Sequence, residues 1–289
     1  MIKESAVLRY VRLLQPEPRL WSRTRGALPD FLIIGAQRSG STFLHDYLSL
    51  NTTAQSSPLQ KELHFFDNKY YKGLDWYAKF FEPIEEESSK VKNFEASPYY
   101  LYHPAVPKRI RESLSDVRAV AVLRDPVDRA ISQYKWIRQV GLETRGAVEA
   151  FEYDAERLEW ETDQGHLGKF GNPLYFDFDH IHRGYLRRSL YHLQIERWLR
   201  HFPASQMRVL SSDRLFSDPE SVVDKLSAFL GIEHHRTGGK SEINQNSSQH
   251  DIHVSLEARR IASRHLADVG DKVRDLLPEA SIIGGELSF

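Results

Sequence analysis

The amino-acid sequence predicts an α/β protein with a central parallel sheet flanked by helices. Four short segments, at 31–34, 91–95, 117–123 and 206–210, are predicted strands, and 31–34 and 117–123 are almost entirely apolar, as buried strands are. Helical patterns lie between them, and strands that alternate with helices form parallel sheets through crossover connections. The 289 residues are 40% hydrophobic and 27% charged, which is enough for one large globular domain.

The first strand and the helix after it enclose the most informative segment. Gly35 and Gly40 bracket a short loop, which glycine allows because it adopts backbone angles closed to other residues. Apolar residues at helical spacing begin at Phe43. A helix N-terminus has unpaired N–H groups and a partial positive charge, so the segment predicts a phosphate or sulfate site. A glycine-rich turn without a ligand is the alternative.

This loop differs from a Walker A loop. The Walker sequence G-x-x-x-x-G-K-S/T has a lysine directly after the second glycine. Here Ser41 occupies that position, and the positive charge lies two residues before Gly40, at Arg38. A phosphorylated ligand other than a nucleoside triphosphate with Mg²⁺ is therefore expected.

The later elements follow the same alternating pattern. The third strand is apolar on both faces apart from Arg118, as is typical of a central parallel strand. Helices are predicted over 128–138, 185–201 and 254–277. Another begins at Asp218-Pro219, with a capping carboxylate and a proline in its first turn, and ends at Gly231.

We predict an N-terminal arm over 1–28 and one domain over 29–289. Residues 5–14 have the pattern of a short basic amphipathic helix, which packs on the protein or contacts a membrane surface. Residues 141–184 interrupt the alternation with charge, glycine, aromatic residues and two acidic clusters. They are either an insertion on the substrate side or a solvated surface excursion.

Composition excludes several classes of function. The net charge of −1 gives no general attraction for nucleic acid. The absence of cysteine excludes disulfides and thiolate chemistry, and it favours a reducing compartment. No apolar run approaches the roughly 20 residues of a membrane span, and no signal-peptide core is present, so a cytoplasmic protein is expected. The histidine pairs 234/235 and 250/253 are expected to be solvated rather than to bind metal.

A second anion site is predicted after the third strand. Arg124 stands at the carboxyl end of that strand, where α/β proteins place ligand contacts, and Ser132 lies in the following helix. Arg124 can donate two hydrogen bonds to a phosphate. A surface Arg–Asp pair is the alternative, but a second site beside the glycine loop favours a doubly phosphorylated nucleotide.

A candidate general base lies between the first two predicted strands. Glu62 follows Lys61 and precedes an aromatic pair, Phe65 and Phe66. We expect the two rings to exclude water and to raise the basicity of Glu62 by desolvation. Such a base typically contributes about 10²–10⁴ in rate. The alternative is an exposed ion pair between Lys61 and Glu62.

Taken together and in this order, these segments resemble the sulfotransferases that use 3′-phosphoadenosine-5′-phosphosulfate (PAPS), and they are most similar to the heparan-sulfate-type carbohydrate branch and its bacterial relatives. The likeness covers about residues 29 to 235. The matching elements are the 5′-phosphosulfate loop at 37–42, the K-E-x-H-F-F element at 61–66, the segment at 71–77, the E-K-T/S-P position at 95–98, the 3′-phosphate pair Arg124 and Ser132, and the helix at 190–199.

The resemblance implies a P-loop-NTPase-like sulfotransferase fold. It implies transfer of a sulfuryl group from PAPS to a hydroxyl, or less readily an amine, of a carbohydrate or small natural product, without a required metal. Glu62 is the implied base, with His64 as second choice and Lys61 in support. Arg38 is expected to balance charge on the leaving oxygen. The expected donor-binding residues are Gln37, Arg38, Ser39, Gly40, Ser41, Thr42, Arg124 and Ser132, and the expected acceptor contacts are Phe65, Phe66, Ser97, Pro98 and Tyr99.

The chain also departs from the pattern of that branch. Arg38 replaces the more usual loop lysine, and Ala96 replaces the lysine of E-K-T/S-P. No basic K-G-R-type loop follows residue 235, and residues 245–250 are the expected substitute with neutral donors. An ATP-dependent phosphotransferase and a non-catalytic nucleotide-binding module remain alternative functions. The sequence does not specify the acceptor or the oligomeric state.

Overall fold

A parallel sheet organises the computed structural model, which describes residues 26–84, 90–235, 252–285 and 287. Within those residues the sheet has six strands in the order β2-β3-β1-β4-β5-β6. The strands are β1 (Phe31–Gly35), β2 (Ala54–Ser56), β3 (Lys92–Ala96), β4 (Arg118–Leu123), β5 (Met207–Ser211) and β6 (Ile282–Ile283). The four predicted strands are confirmed, whereas β2 and β6, of three and two residues, were not predicted.

The central strand β1 pairs in parallel with β3 and with β4. Its residues are buried on both faces. Leu32 and Ile34 belong to one apolar core, and Phe31 and Ile33 belong to the core on the opposite face. This alternation confirms the predicted α/β class, with a sheet covered by helices on both sides.

Helices of very different length connect the strands. They are α1 (Ser41–Asn51), α2 (Leu74–Ala78), α3 (Val106–Ser113), α4 (Pro126–Gln139), α5 (Ala147–Ala155), α6 (Gln164–Gly168), α7 (Tyr191–Leu199), α8 (Ser212–Ser217), α9 (Pro219–Leu230), α10 (Leu256–Leu266) and α11 (Val269–Leu276). Helix α9 has the predicted ends, because Asp218 accepts a hydrogen bond from the Ser221 amide and Gly231 is left-handed. Single helical turns cover Phe65–Lys69, Tyr70–Lys72, Leu158–Glu161, Lys169–Gly171, Asp179–Arg183, Arg187–Ser189, Ala204–Gln206 and Glu279–Ser281.

Two predicted helices have different bounds. The helix predicted over 185–201 begins only at Tyr191, because Leu190 has a non-helical ψ of 61° after the turn Arg187–Ser189. The helix predicted over 254–277 is two helices, α10 and α11. They pack on different partners, since α10 contacts α4 and α5 whereas α11 contacts α7.

Residues 141–184 contain both buried and exposed positions. Three of their carboxylates are buried, Glu143, Asp154 and Glu161, of which the last two belong to the acidic clusters. The Asp154 carboxylate lies 2.6 Å from the Arg187 Nε, and both side chains are 0% exposed. This pair anchors the segment to the domain, while other acids of the clusters, such as Glu149 and Glu156, are exposed. A role in substrate selection stays a prediction.

Several predictions lie wholly or partly outside the described residues. These are the N-terminal arm up to residue 25, the amphipathic helix at 5–14, the loop at 245–250 and His250. In the part that is described, none of the helices has the length and apolar character required to cross a bilayer. The same part contains no group of three or more His, Asp or Glu side chains arranged to hold a metal ion.

Candidate active site

The turn between β1 and α1 presents the start of a helix to the carboxyl end of the sheet. Gly40 has a φ of 104° and Arg38 has a φ of 69°, so both adopt the left-handed backbone conformation. An added Cβ at Gly40 would lie 3.1 Å from the Phe216 ring. Gly40 has no side chain with which to cap α1, so the first amide groups of the helix are suited to an anionic ligand.

Arg38, Arg124 and Ser132 converge on one side of this turn. The Arg38 Nε donates a hydrogen bond to the Ser132 Oγ at 3.2 Å. Burial lowers the pKa of Arg38, and the charge of Arg124 lowers it further, which indicates that the two guanidinium groups are neighbours. Arg124 also lies 4.0 Å from Asp128 on α4. The residues of the two predicted anion sites are therefore adjacent across the turn.

The Lys61–Glu62 segment lies on the other side of the turn. The Lys61 Nζ donates to the Thr42 Oγ1 at 2.5 Å and lies 3.7 Å from the Glu62 carboxylate. Glu62 has 39% of its side-chain surface exposed, so a substrate can reach it. The His64 Nε2 is 3.4 Å from the Glu62 Oε2, and its Nδ1 is 2.6 Å from the Asp67 Oδ2. His64 thus bridges the exposed Glu62 and the buried Asp67.

The electrostatics of this bridge differ from the sequence-based expectation. Burial alone would raise the pKa of Glu62, but the hydrogen bond and charge of His64, with the charge of Lys61, lower it below its usual value. The expectation that desolvation raises the basicity of Glu62 is therefore wrong. Burial would lower the pKa of His64, yet Asp67 and Glu62 raise it to about 10. His64 is consequently an imidazolium at neutral pH.

The Glu95 carboxylate, which is fully buried, fixes the backbone of the same segment. It accepts hydrogen bonds from the Leu63 amide at 3.2 Å, from the Tyr100 hydroxyl at 2.9 Å, and from the hydroxyls of Tyr77 and Ser97. The Ser97 Oγ in turn accepts from the His64 amide at 3.2 Å. Glu95 and Ser97 therefore position the residues on both sides of Leu63. Sequence reasoning missed this role of Glu95, because its contact with the Leu63 amide joins residues 32 positions apart.

The predicted acceptor contacts are not exposed in this structure. All of them are buried: Phe65, Phe66, Ser97, Pro98 and Tyr99. Phe65 stacks on Tyr77 with ring centroids 4.3 Å apart, and the Tyr99 hydroxyl is 2.7 Å from the His180 Nδ1. Their contact with an acceptor stays a prediction.

Two buried arginines that sequence reasoning missed connect residues 141–184 to the site. Arg188 donates a hydrogen bond to the Gln37 side chain in the glycine turn and another to the His180 carbonyl at 2.9 Å. Arg109 donates to the carbonyls of Phe66 and Phe170 at 2.7 and 2.8 Å. Residues 141–184 are therefore held to the glycine turn by Arg188 and to the backbone of Phe66 by Arg109.

Comparisons with known proteins agree on one family. Residues 28–259 match the sequence profile of the family described as "Sulfotransferase domain". Bifunctional heparan sulfate N-deacetylase/N-sulfotransferase 4 of Mus musculus is 32% identical over 223 residues, which cover 75% of this chain and 24% of that protein. Membrane-associated sulfotransferase kil1 of Dictyostelium discoideum is 27% identical over 311 residues, covering 86% of this chain and 65% of that protein.

A solved structure shares the fold. The sulfotransferase from Alicyclobacillus acidocaldarius superposes with a TM-score of 0.65 and 24% identity, and the match covers 87% of this chain and 96% of that one. The present chain thus spans nearly the whole of this structure. It spans about a quarter of the length of the bifunctional relative and 65% of the amoebal one.

Proposed function

This chain belongs to the sulfotransferase domain family, and we propose from that premise that it transfers a sulfuryl group from PAPS to an acceptor hydroxyl. An amine is the less favoured acceptor group. The acceptor is a carbohydrate or a small natural product, and the names of the heparan sulfate relatives support a carbohydrate. The proposal needs no metal ion and no nucleic acid partner. The cytoplasmic location stays an expectation from the sequence.

One observation supports this proposal above the others: the glycine turn lies between two different polar clusters. Arg38, Arg124 and Ser132 form one cluster and suit a phosphate. Lys61 and Glu62 belong to the other, which contacts the turn through Thr42. PAPS has a 3′-phosphate at one end and a reactive phosphosulfate at the other, so a donor bound across the turn would present its sulfur to Glu62.

The proposed step is a displacement at sulfur. The acceptor oxygen forms a bond to the sulfur of PAPS while the bond from that sulfur to the bridging phosphate oxygen breaks. The electron pair of the broken bond stays on adenosine 3′,5′-bisphosphate, and the acceptor proton passes to Glu62. Arg38 and the amide groups at the start of α1 would stabilise the negative charge that develops on the leaving oxygen. Holding the two reactants in line would supply much of the acceleration.

We assign the base to Glu62 rather than to His64, which was the second choice. With its pKa raised to about 10, His64 carries a proton at neutral pH and cannot accept another. Its two ring nitrogens face Glu62 and Asp67, so it would hold the Glu62 carboxylate in position. Glu62 is ionised at neutral pH because its own pKa is lowered, and it is exposed enough to meet an acceptor.

The test is a mass-spectrometric screen of neutral glycosides, amino sugars and phenolic natural products with PAPS. We expect at least one product heavier than its acceptor by about 80 Da, the mass of one SO₃. The variant Glu62→Gln should lower the yield at least about 100-fold, in line with the loss of a general base. Glu112→Gln, a change of the same kind on the exposed surface of α3, is the control. Full activity of Glu62→Gln would refute the base assignment.

Calorimetric titration separates this function from its two rivals. We expect wild-type protein to bind adenosine 3′,5′-bisphosphate and to bind ATP with Mg²⁺ much more weakly, because Ser41 replaces the Walker lysine. The reverse preference would indicate a phosphotransferase. Binding of PAPS without turnover of any acceptor in the screen would favour a non-catalytic nucleotide-binding module.

A further inference from the structure

We propose that Arg259, on helix α10, is a further donor-binding residue that recognises the 3′-phosphate of the nucleotide. This inference rests on the proposed function, since it concerns the donor of that reaction. Arg259 lies in the C-terminal part of the chain, 135 positions after Arg124 in sequence.

Helix α4 provides the surface on which the site is built. Asp128 and Ser132 are four residues apart in α4, so they share one face of the helix, and Arg124, which precedes α4, lies 4.0 Å from Asp128. Ser132 is already bonded to Arg38 of the glycine turn. This face of α4 therefore borders the donor site along its length.

Arg259 reaches the same face from α10. Its guanidinium lies 2.9 Å from the Asp128 Oδ1, while the guanidinium of Arg124 lies 4.0 Å from the Asp128 Oδ2. A single carboxylate thus stands between two arginines, one of which is the predicted 3′-phosphate ligand. Packing of α10 on α4 brings Arg259 to this position.

The charges around Asp128 favour a dianionic ligand. Arg124 and Arg259 both lie against Asp128, so two positive groups surround this one carboxylate. A second carboxylate, Asp125, is occupied at the start of α4, where it accepts a hydrogen bond from the Asp128 amide at 2.7 Å. A phosphate monoester carries about −1.5 to −2 charges at pH 7 and offers three acceptor oxygens to such a cluster.

Arg259 is free to move from the carboxylate to a ligand. Its side chain is 50% exposed, and an exposed ion pair such as Arg259–Asp128 contributes little stability on its own. Asp128 would hold the guanidinium near the site in the absence of donor. Arg259 would then donate two hydrogen bonds to a bound 3′-phosphate, because the geometry of a guanidinium matches that of phosphate oxygens.

The test compares two nucleotides that differ only in the 3′-phosphate. Dissociation constants of adenosine 3′,5′-bisphosphate and adenosine 5′-phosphate are measured by calorimetry for wild type, Arg259→Gln and Arg260→Gln. Arg260 is the adjacent exposed arginine, so its variant is a control for the loss of charge. We expect Arg259→Gln to raise the dissociation constant of the bisphosphate about tenfold. The same variant should change the dissociation constant of the monophosphate less than about twofold. Arg260→Gln should change neither dissociation constant.

Other outcomes are informative in different ways. Equal losses for both nucleotides, or no loss for either, in Arg259→Gln would overturn the assignment of Arg259. Arg259→Lys keeps the positive charge but lacks the paired N–H donors of a guanidinium, so it should lose an intermediate amount of affinity for the bisphosphate. This variant replaces Arg259→Gln in the test if the glutamine variant proves unstable. If wild-type protein binds neither nucleotide, it is the proposed sulfotransferase function that fails, independently of Arg259.

Discussion

Replacing His64 with glutamine should remove a pH-dependent contribution to stability. The imidazole is held between Asp67 and Glu62, and these two carboxylates raise its pKa from 6.5 to about 10. A histidine with a raised pKa binds its proton more tightly in the folded protein than in the unfolded chain. Its contribution to the free energy of unfolding is therefore complete below pH 6.5 and is lost as the pH rises from there to about 10.

The size of the effect follows from the same shift. Each pKa unit corresponds to about 1.4 kcal/mol, so a rise from 6.5 to about 10 sets an upper limit of about 5 kcal/mol. Relaxation around a charged buried pair reduces this value. We expect the free energy of unfolding of wild type to fall by about 2–5 kcal/mol more than that of His64→Gln between pH 6 and pH 10.

Urea unfolding followed by circular dichroism at several pH values measures this difference. Titration of lysines and tyrosines elsewhere affects wild type and variant alike, so it cancels in the comparison. His253→Gln, at an exposed histidine, should show the wild-type pH dependence. Parallel curves for wild type and His64→Gln would refute the reasoning, because they would show that His64 is not held as an imidazolium.

Two further predictions concern buried carboxylates. Asp154→Ala should lower the free energy of unfolding by about 3–5 kcal/mol, because it leaves the Arg187 guanidinium buried without its carboxylate. Urea unfolding measures this change. Glu152→Ala, on the exposed side of the same helix, is the control and should have little effect. Glu95→Gln should lower kcat about tenfold through displacement of Leu63 and Glu62, with an unchanged dissociation constant for adenosine 3′,5′-bisphosphate. A loss of nucleotide affinity equal to the loss in kcat would show instead that Glu95 supports the whole site.

The strands and the glycine turn were predictable because their signals are local. The mostly apolar segments 31–34 and 117–123 specified β1 and β4, and the mixed five-residue segments 91–95 and 206–210 located β3 and β5. Gly40 could be identified as a turn residue from its neighbours alone. By contrast, the edge strands β2 and β6 are too short to show a pattern, and only their pairing with β3 and β5 defines them.

The arrangement of side chains in the site was less predictable, since it depends on contacts between distant residues. Asp67 follows His64 by three positions, but His64 has a left-handed backbone, so no helical periodicity relates the two. Asp154 and Arg187 are 33 residues apart, and their pairing buries one carboxylate of an acidic cluster. The hydrogen bond from Arg38 to Ser132 is likewise a tertiary contact, between residues 94 positions apart.

The four carbonyl contacts of Arg109 limit how this protein can be re-engineered. One guanidinium joins the carbonyls of Phe66 and Asp67 to those of Phe170 and Gly171. A chimera that exchanges the whole of residues 141–184 for those of a relative would also disturb the backbone at Phe66 and Asp67, close to Glu62. Libraries aimed at new acceptors should instead vary exposed positions beyond Gly171, such as Leu174 and Phe176, which are 71% and 62% exposed.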